Sequence, residues 1–436
     1  MRFWPIFLAA AFSPAAALDL GEAYRLAQEA DAKYQSVVAR TEAEIEGVTV
    51  ARAKLLPQVG AVGSVGKLWV ERKAGGRNFP VSPTDTWNWA VNLRQPLYRP
   101  GEWAIYRQAR ASAEGAQFRL QNEKSLLLER LAKAYLAALN AAAQLQTAQS
   151  DVARYQAILH QAEAAFYRGQ GTRIEIEEAK ARRDAAYAQV LSAQGELEIA
   201  ERALILLIGK QVSSAELKDL AERHILSRDI LARPPTSWVD EAKSANLGLA
   251  FLRKQVEVAQ YKVQQQLDGH KPTLDIVAGY KQSSSESEIT LEQQFKTGSV
   301  ALQATLPLFS GFGVSAAVRQ AKDLLRQAEL ELEQNTREIE QSVLDAYTKV
   351  RFGESQVAAL DQALRSAEQA VFGTRKGVLA GTRNTVDVLN AEQQAAATRA
   401  KRIDAIYQLL EAIVELLVAV NKPPEEAIAW FTGQNG

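Results

Sequence analysis

The sequence contains no cysteine and only three histidines in 436 residues. Without cysteine there are no disulfides, no thiol nucleophile, no cysteine-held metal and no lipid-anchored mature N-terminus. His160, His224 and His270 are scattered, with no pair one helical turn apart as a helical metal motif requires. The chain also lacks an excess of either charge: lysine plus arginine is 51 and aspartate plus glutamate is 51. That balance leaves no electrostatic footprint for nucleic acid and no polybasic signal for a membrane surface. The glycines near 311–313 lack the lysine of a phosphate loop. Carboxylates are plentiful, but they fall on helical stretches, where solvated faces far outnumber acid–base pairs. No catalytic, cofactor or metal site is expected, and the chain does not read as an enzyme. Long apolar runs are missing too. The longest candidate, 403–420, contains Asp404, Glu411 and Glu415, and falls short of the ~20 apolar residues that a membrane helix needs. If this chain enters a membrane, it does so with strands.

The first residues, MRFWPIFLAAAFSPAAA, combine Arg2, an apolar stretch and Ala15-Ala16-Ala17. This is the form of a secretory leader. Residues 1–17 are expected to be removed, with the mature chain starting near Leu18.

The remainder is written twice. A first repeat, 18–208, predicts a helix over 19–53, strands near 57–72 and 84–98, a long helix over 102–168 and a helix over 173–208. A connector, 209–237, leads to a second repeat, 238–420. This predicts a helix over 238–267, strands near 272–284 and 294–308, a long helix over 314–376 and a helix over 386–420. Residues 421–436 form a tail. Two copies of one supersecondary unit point to pseudo-symmetric stacking. In the long helices apolar residues recur in steps of four and three: Leu127, Leu131, Ala134, Ala138 and onward to Phe166, and Ile339, Val343, Ala346, Val350 and onward to Val371. This is a coiled-coil seam. Its alanine content suits a wall of closely spaced helices.

The strands are two-faced. Trp87, Trp89, Val91 and Leu93 oppose Asn88, Ala90, Asn92 and Arg94, while Val300, Leu302, Ala304 and Leu306 oppose Ser299, Ala301, Gln303 and Thr305. A soluble sandwich fits this pattern, and so does a membrane barrel. Trp69, Trp87 and Trp89 fit either a core or an interfacial girdle. Four strands cannot close a barrel, and open edges are not tolerated in lipid; in a membrane, several chains must pool their strands. Each hairpin runs directly into a long helix. Pro96 and Pro307 are expected to end the ladder, and Gly101, Gly311 and Gly313 to let the backbone swing into the helix. Gly169, Gly171, Gly377 and Gly381 are expected to permit the helix-to-helix reversals in RGQGTRIEIEEAK (168–180) and KGVLAGTRNTVDVLNAE (376–392).

The stretches GVLAGTRNTVDVLNAEQ (377–393), LPQVG (56–60) and LPLFSGFG (306–313) resemble the TolC family of outer-membrane efflux and type I secretion channels. The resemblance covers nearly the whole mature chain. It implies a mixed α and β membrane protein: a homotrimer whose twelve-stranded outer-membrane β-barrel, with four strands per chain, continues into a long α-helical coiled-coil barrel across the periplasm. It implies a passive exit duct from an inner-membrane transporter, joined by a periplasmic adaptor protein. The helix turns then form the periplasmic tip and its gate. Matched position by position, Arg383 falls on a gate arginine, Glu175 on its acidic partner and Asp387 on an acid that becomes a ring in the trimer. Three family features are replaced here: a threonine by Ile174, a gate tyrosine by Val378 and a second acid by Asn390. Fewer polar ties and weaker cation preference are implied. The rival reading is a soluble periplasmic coiled-coil adaptor, which needs no amphipathic strands.

Overall fold

The computed structural model describes residues 18–69, 71–79, 83–220, 230–287 and 290–432. The predicted leader, connector residues 221–229 and the last residues of the tail lie outside them. The described chain forms helices α1 (Leu20–Ala30), α2 (Ala32–Ala53), α3 (Pro100–Tyr167), α4 (Arg173–Ile208), α5 (Pro235–Ala245), α6 (Leu247–Leu267), α7 (Gly313–Leu379), α8 (Thr385–Ala419) and α9 (Pro424–Thr432). Its strands are β1 (Gln58–Trp69), β2 (Arg72–Ala74), β3 (Arg77–Phe79), β4 (Pro83–Tyr98), β5 (Thr273–Ser287) and β6 (Thr290–Thr305). Among the described residues, no helix is long and apolar enough to cross a membrane. Two compact units emerge, each drawing on both repeats: residues 39–119 with 249–334, and the remainder.

The first unit carries a four-stranded antiparallel sheet in the order β1-β4-β5-β6. Register places Val65 opposite Trp87, Ala61 opposite Val91, Val91 opposite Tyr280 and Ala278 opposite Val300. The apolar residues predicted strand by strand therefore share one face. Across the other face Asn88 Nδ2 donates to Ser64 Oγ at 2.6 Å, and Asn92 lies opposite Gly279. The apolar face is bare within the chain: Val65 is 89 % exposed, Val300 80 % and Trp69 64 %. The tryptophan at 69 is thus no core residue of this chain.

The strand-to-helix joints differ from expectation. Pro96 does not end β4; it pairs with Asp275 inside the strand, followed by an irregularity before Tyr98. The ladder to β1 has already stopped at Gln58↔Arg94, so Pro96 sits where β4 has become an edge, the place where a missing N–H is tolerated. Helix α3 then starts at Pro100, a residue pre-set for a first helical turn, and Gly101 is simply helical. At the second joint Pro307 follows β6 by two residues. The left-handed turn there is made by Gly311 (φ 57°) and Phe312 (φ 62°), while Gly313 opens α7. Between the joints, buried Asp275 accepts hydrogen bonds from Arg94 at 2.9 Å and Arg99 at 2.7 Å.

In the second unit, the four-three seam is the buried one: Leu127, Leu131, Ala138, Val343, Val350 and Val357 are all buried. They pack with Leu409, Leu410, Ile413 and Leu416 of α8. The predicted helix over 19–53 is broken at Asp31. Its carboxylate accepts from the Lys33 and Tyr34 amides at 2.7 and 3.1 Å, capping α2, and pairs with Arg130 at 3.0 Å. The predicted helix over 238–267 likewise breaks at Asn246, whose Nδ2 donates to the Ala419 carbonyl at 3.1 Å. The tail is partly helical: α9 buries Ala427 and Phe431 in the core. The Tyr135 hydroxyl, fully buried, lies 2.8 and 2.9 Å from the carbonyls of Leu18 and Lys218, tying the first described residue to the connector. Tyr135→Phe is expected to cost about 1–2 kcal/mol, seen as a lowered thermal midpoint with unchanged helix content; an unaltered midpoint would show that these carbonyls find another donor.

Candidate functional site

The two helix reversals are built alike. Gly169 (φ 73°) and Gly381 (φ 72°) hold the left-handed conformation that ends α3 and α7, which a side-chain-bearing residue adopts at a cost of about 1–2 kcal/mol. The other two turn glycines act by proximity. A Cβ on Gly377 would stand 2.7 Å from Arg383 Cγ, and one on Gly171 would stand 3.2 Å from the Phe166 amide nitrogen.

Each helix that follows begins with a capping box. The Thr172 amide donates to Glu175 Oε2 at 2.8 Å, and the Glu175 amide donates back to Thr172 Oγ1 at 3.3 Å. In the second turn the Asn384 amide donates to Asp387 Oδ2 at 3.1 Å, and the Asp387 amide donates to Asn384 Oδ1 at 2.9 Å. The two expected gate acids are thus the third helical residues of α4 and α8. There the macrodipole favours negative charge. The backbone N–H of Thr172, opposed by partial burial and reinforced by Thr385, holds the Glu175 carboxyl below the usual glutamate range. The Thr385 contact joins the first reversal to the second.

Arg383 stands 3.9 Å from Asp387. Among the described residues no ion pair joins Arg383 to Glu175 within one chain. Asn390 accepts from Arg182 Nη2 at 3.2 Å, and Arg182 Nη1 donates to Gln393 at 2.5 Å. Beneath the turns an apolar cluster of Tyr155, Ile158, Leu159, Ala162, Ile176, Ala179, Val388 and Leu389 holds α3, α4 and α8 together, with Val378 packed against it. Val378 thus makes an apolar contact at this turn. Buried Glu392 pairs with Arg375, linking α8 to α7.

Sequence reasoning missed Thr385, Arg182, Arg375 and Glu392. The capping boxes had a signal, T-R-I-E at 172–175 and N-T-V-D at 384–387. Arg182 had none, because its partners lie more than 200 residues away, and Arg375 reaches Glu392 across the helix reversal, 17 residues on, where no helical period links them.

Comparison with known proteins adds the wider setting. The outer membrane efflux protein family matches residues 23–210 and 238–422, the two repeats without the connector. The chain is 32% identical over 403 residues to the alkaline protease secretion protein AprF of Pseudomonas aeruginosa, covering 92% of this chain and 84% of that protein. It is 29% identical over 425 residues to the proteases secretion protein PrtF of Dickeya chrysanthemi, covering 96% and 92%. Its fold is similar to the crystal structure of the outer membrane protein VceC from Vibrio cholerae, with a TM-score of 0.78 and 16% identity over 92% of this chain and 95% of that one.

Because the Glu175 pKa is lowered on folding, its stabilisation is full above the unfolded value and is lost as pH falls through the folded one. Hydrogen-exchange protection of amides 172–176, corrected for intrinsic rates, is expected to be flat from neutral pH to about 5 and to fall below about 4. Glu175→Gln should remove the acid-dependent fall; the same fall in that variant would assign it to another group.

Proposed function

The chain belongs to the outer membrane efflux protein family, and on that premise we propose that three copies form a gated exit duct. It is an outer-membrane protein reaching into the periplasm, an efflux or type I secretion channel. The finer reading is that a periplasmic adaptor joins it to an inner-membrane transporter and that the helix turns open only in that assembly. The names of AprF and PrtF favour secreted polypeptides as cargo.

The observation that carries the proposal is the bare apolar face of a sheet whose two outer strands, β1 and β6, each leave one edge without a partner among the described residues. A patch of that kind is not left facing water, and open edges are not left in lipid. Copies joined β6 to β1 pair antiparallel, since strand direction alternates across an even number. Two copies would give an eight-stranded barrel, filled by its own side chains. Three give twelve strands and room for water. A soluble adaptor would have no use for such a face.

The tip supplies the gate. In the trimer Asp387 makes a ring of three carboxylates, which favours cations. Arg383 lies beside it in each copy. Single-channel recording in planar bilayers tests both. Arg383→Ser is expected to raise resting conductance several-fold; no change would remove Arg383 from the gate. Asp387→Ala should shift the reversal potential in a salt gradient toward zero. Asn384→Ala breaks the same capping box but keeps the charge, so it should leave the reversal potential in place. Equal effects from the two variants would mean that helix capping, not the ring, was being measured. Extraction checks localisation: release by detergent and not by high salt is expected, and release by salt alone would favour the adaptor.

A further inference from the structure

Arg182 occupies an unusual position for a cation at a helix interface. It lies on α4 three and six residues beyond Ala179 and Ile176, which form the α4 side of the apolar tip cluster. Helical spacing therefore carries this contact line outward to Arg182. Across from it on α8, Asn390 and Gln393 are also three apart, so their amides stand side by side. The guanidinium forks onto both, 3.2 Å to Asn390 Oδ1 and 2.5 Å to Gln393 Oε1. The neighbouring Arg183 turns away to Asp184, with bonds of 2.8 and 2.6 Å. Among the described residues, no carboxylate pairs with Arg182. Close to the turns the α3–α4 hairpin is thus fastened to α8 by apolar packing, by Thr385 at Glu175 and by one charged fork held by neutral oxygens; farther along the helices Arg399 of α8 pairs with Asp151 of α3 at 3.6 Å.

We propose that Arg182 is the polar latch of the closed tip, and that its two amide partners keep the latch weak enough to release. This rests on the reading of the helix turns as a gate. Hydrogen bonds between an ion and a neutral acceptor are weaker than those to a carboxylate, so the strength of the latch is set by the residues at 390 and 393. The fork stands in for the ties that Val378 and Ile174 cannot make. It also gives Asn390 a role of its own: it is an acceptor for Arg182, whereas an acid at this position would bind the same guanidinium more tightly and hold the tip shut.

The test is resting single-channel conductance of the detergent-purified full-length protein, with assembly checked on native gels and Arg383→Ser measured alongside. Arg182→Ala should raise resting conductance roughly tenfold, the effect of losing a two-bond charged contact on the open fraction. Arg182→Lys should recover only part of the loss, because a lysine cannot fork. Asn390→Asp should lower conductance below the parent value, and should not do so when Arg182 is already alanine. If Arg182→Ala fails to assemble, the Asn390→Ala/Gln393→Ala pair removes only the acceptors and should raise conductance similarly. Arg182→Ala or the acceptor pair at parental conductance, with Arg383→Ser raised, would overturn the latch while keeping the gate. So would Asn390→Asp leaving conductance unchanged or higher. Parental conductance in both arginine variants would remove the gate reading and the latch with it.

Discussion

Everything in this molecule depends on where the backbone hydrogen bonds of its sheet can go. Four strands offer two open edges and one apolar face. In water the face is the problem, and in lipid the edges are. Only a closed ring of copies in a membrane answers both. That constraint explains why the strands come as two separate hairpins in one chain. It also explains why the polar face carries features such as the Asn88–Ser64 bond and the Asp275 cluster, which suit a water-filled interior.

The helices answer a second constraint. An α-helix as long as α3, with 68 residues and so about 100 Å, cannot be stabilised by propensity alone and must pack along its length. Its seam mixes leucine and alanine, and α7 and α8 supply residues that pack against it. At the turns the seam passes into a small apolar cluster and a few polar links. On the proposed reading of the turns as a gate, so few links are the property it requires. The links nearest the turns, a capping acid, a threonine and one arginine fork, lie apart from the main core.

The sequence was most legible where physics is periodic. The four-three seam and the two-faced strands appear in the structure close to their predicted positions, and the helices predicted over 173–208 and 386–420 match α4 and α8 to within a residue. It was least legible where one side chain decides. Asp31 and Asn246 each interrupt a helical pattern without changing its hydrophobic period, so they read as ordinary polar positions. Pro96 reads as a strand stop because only the register reveals that β1 has already ended. Gly101 and Gly313 read as hinges because a glycine near a joint is ambiguous until its φ is known. The actual left-handed residue beside Gly311 is Phe312, which composition would never nominate. At the helix turns, Asp387 and Glu175 are nominated by resemblance, whereas the capping role the structure gives them is a local matter of three-residue spacing. Arg182 pairs with residues more than 200 positions away, beyond any local signal.

The most direct test of the account is the mass of the particle released from membranes by mild detergent, measured by native mass spectrometry. Three chains, stable without cross-linking and lost when the β5–β6 hairpin is deleted, are the predicted result. A monodisperse monomer that stays in solution after the detergent is removed would contradict it, because a single chain would then be carrying its bare apolar face and both open edges in water.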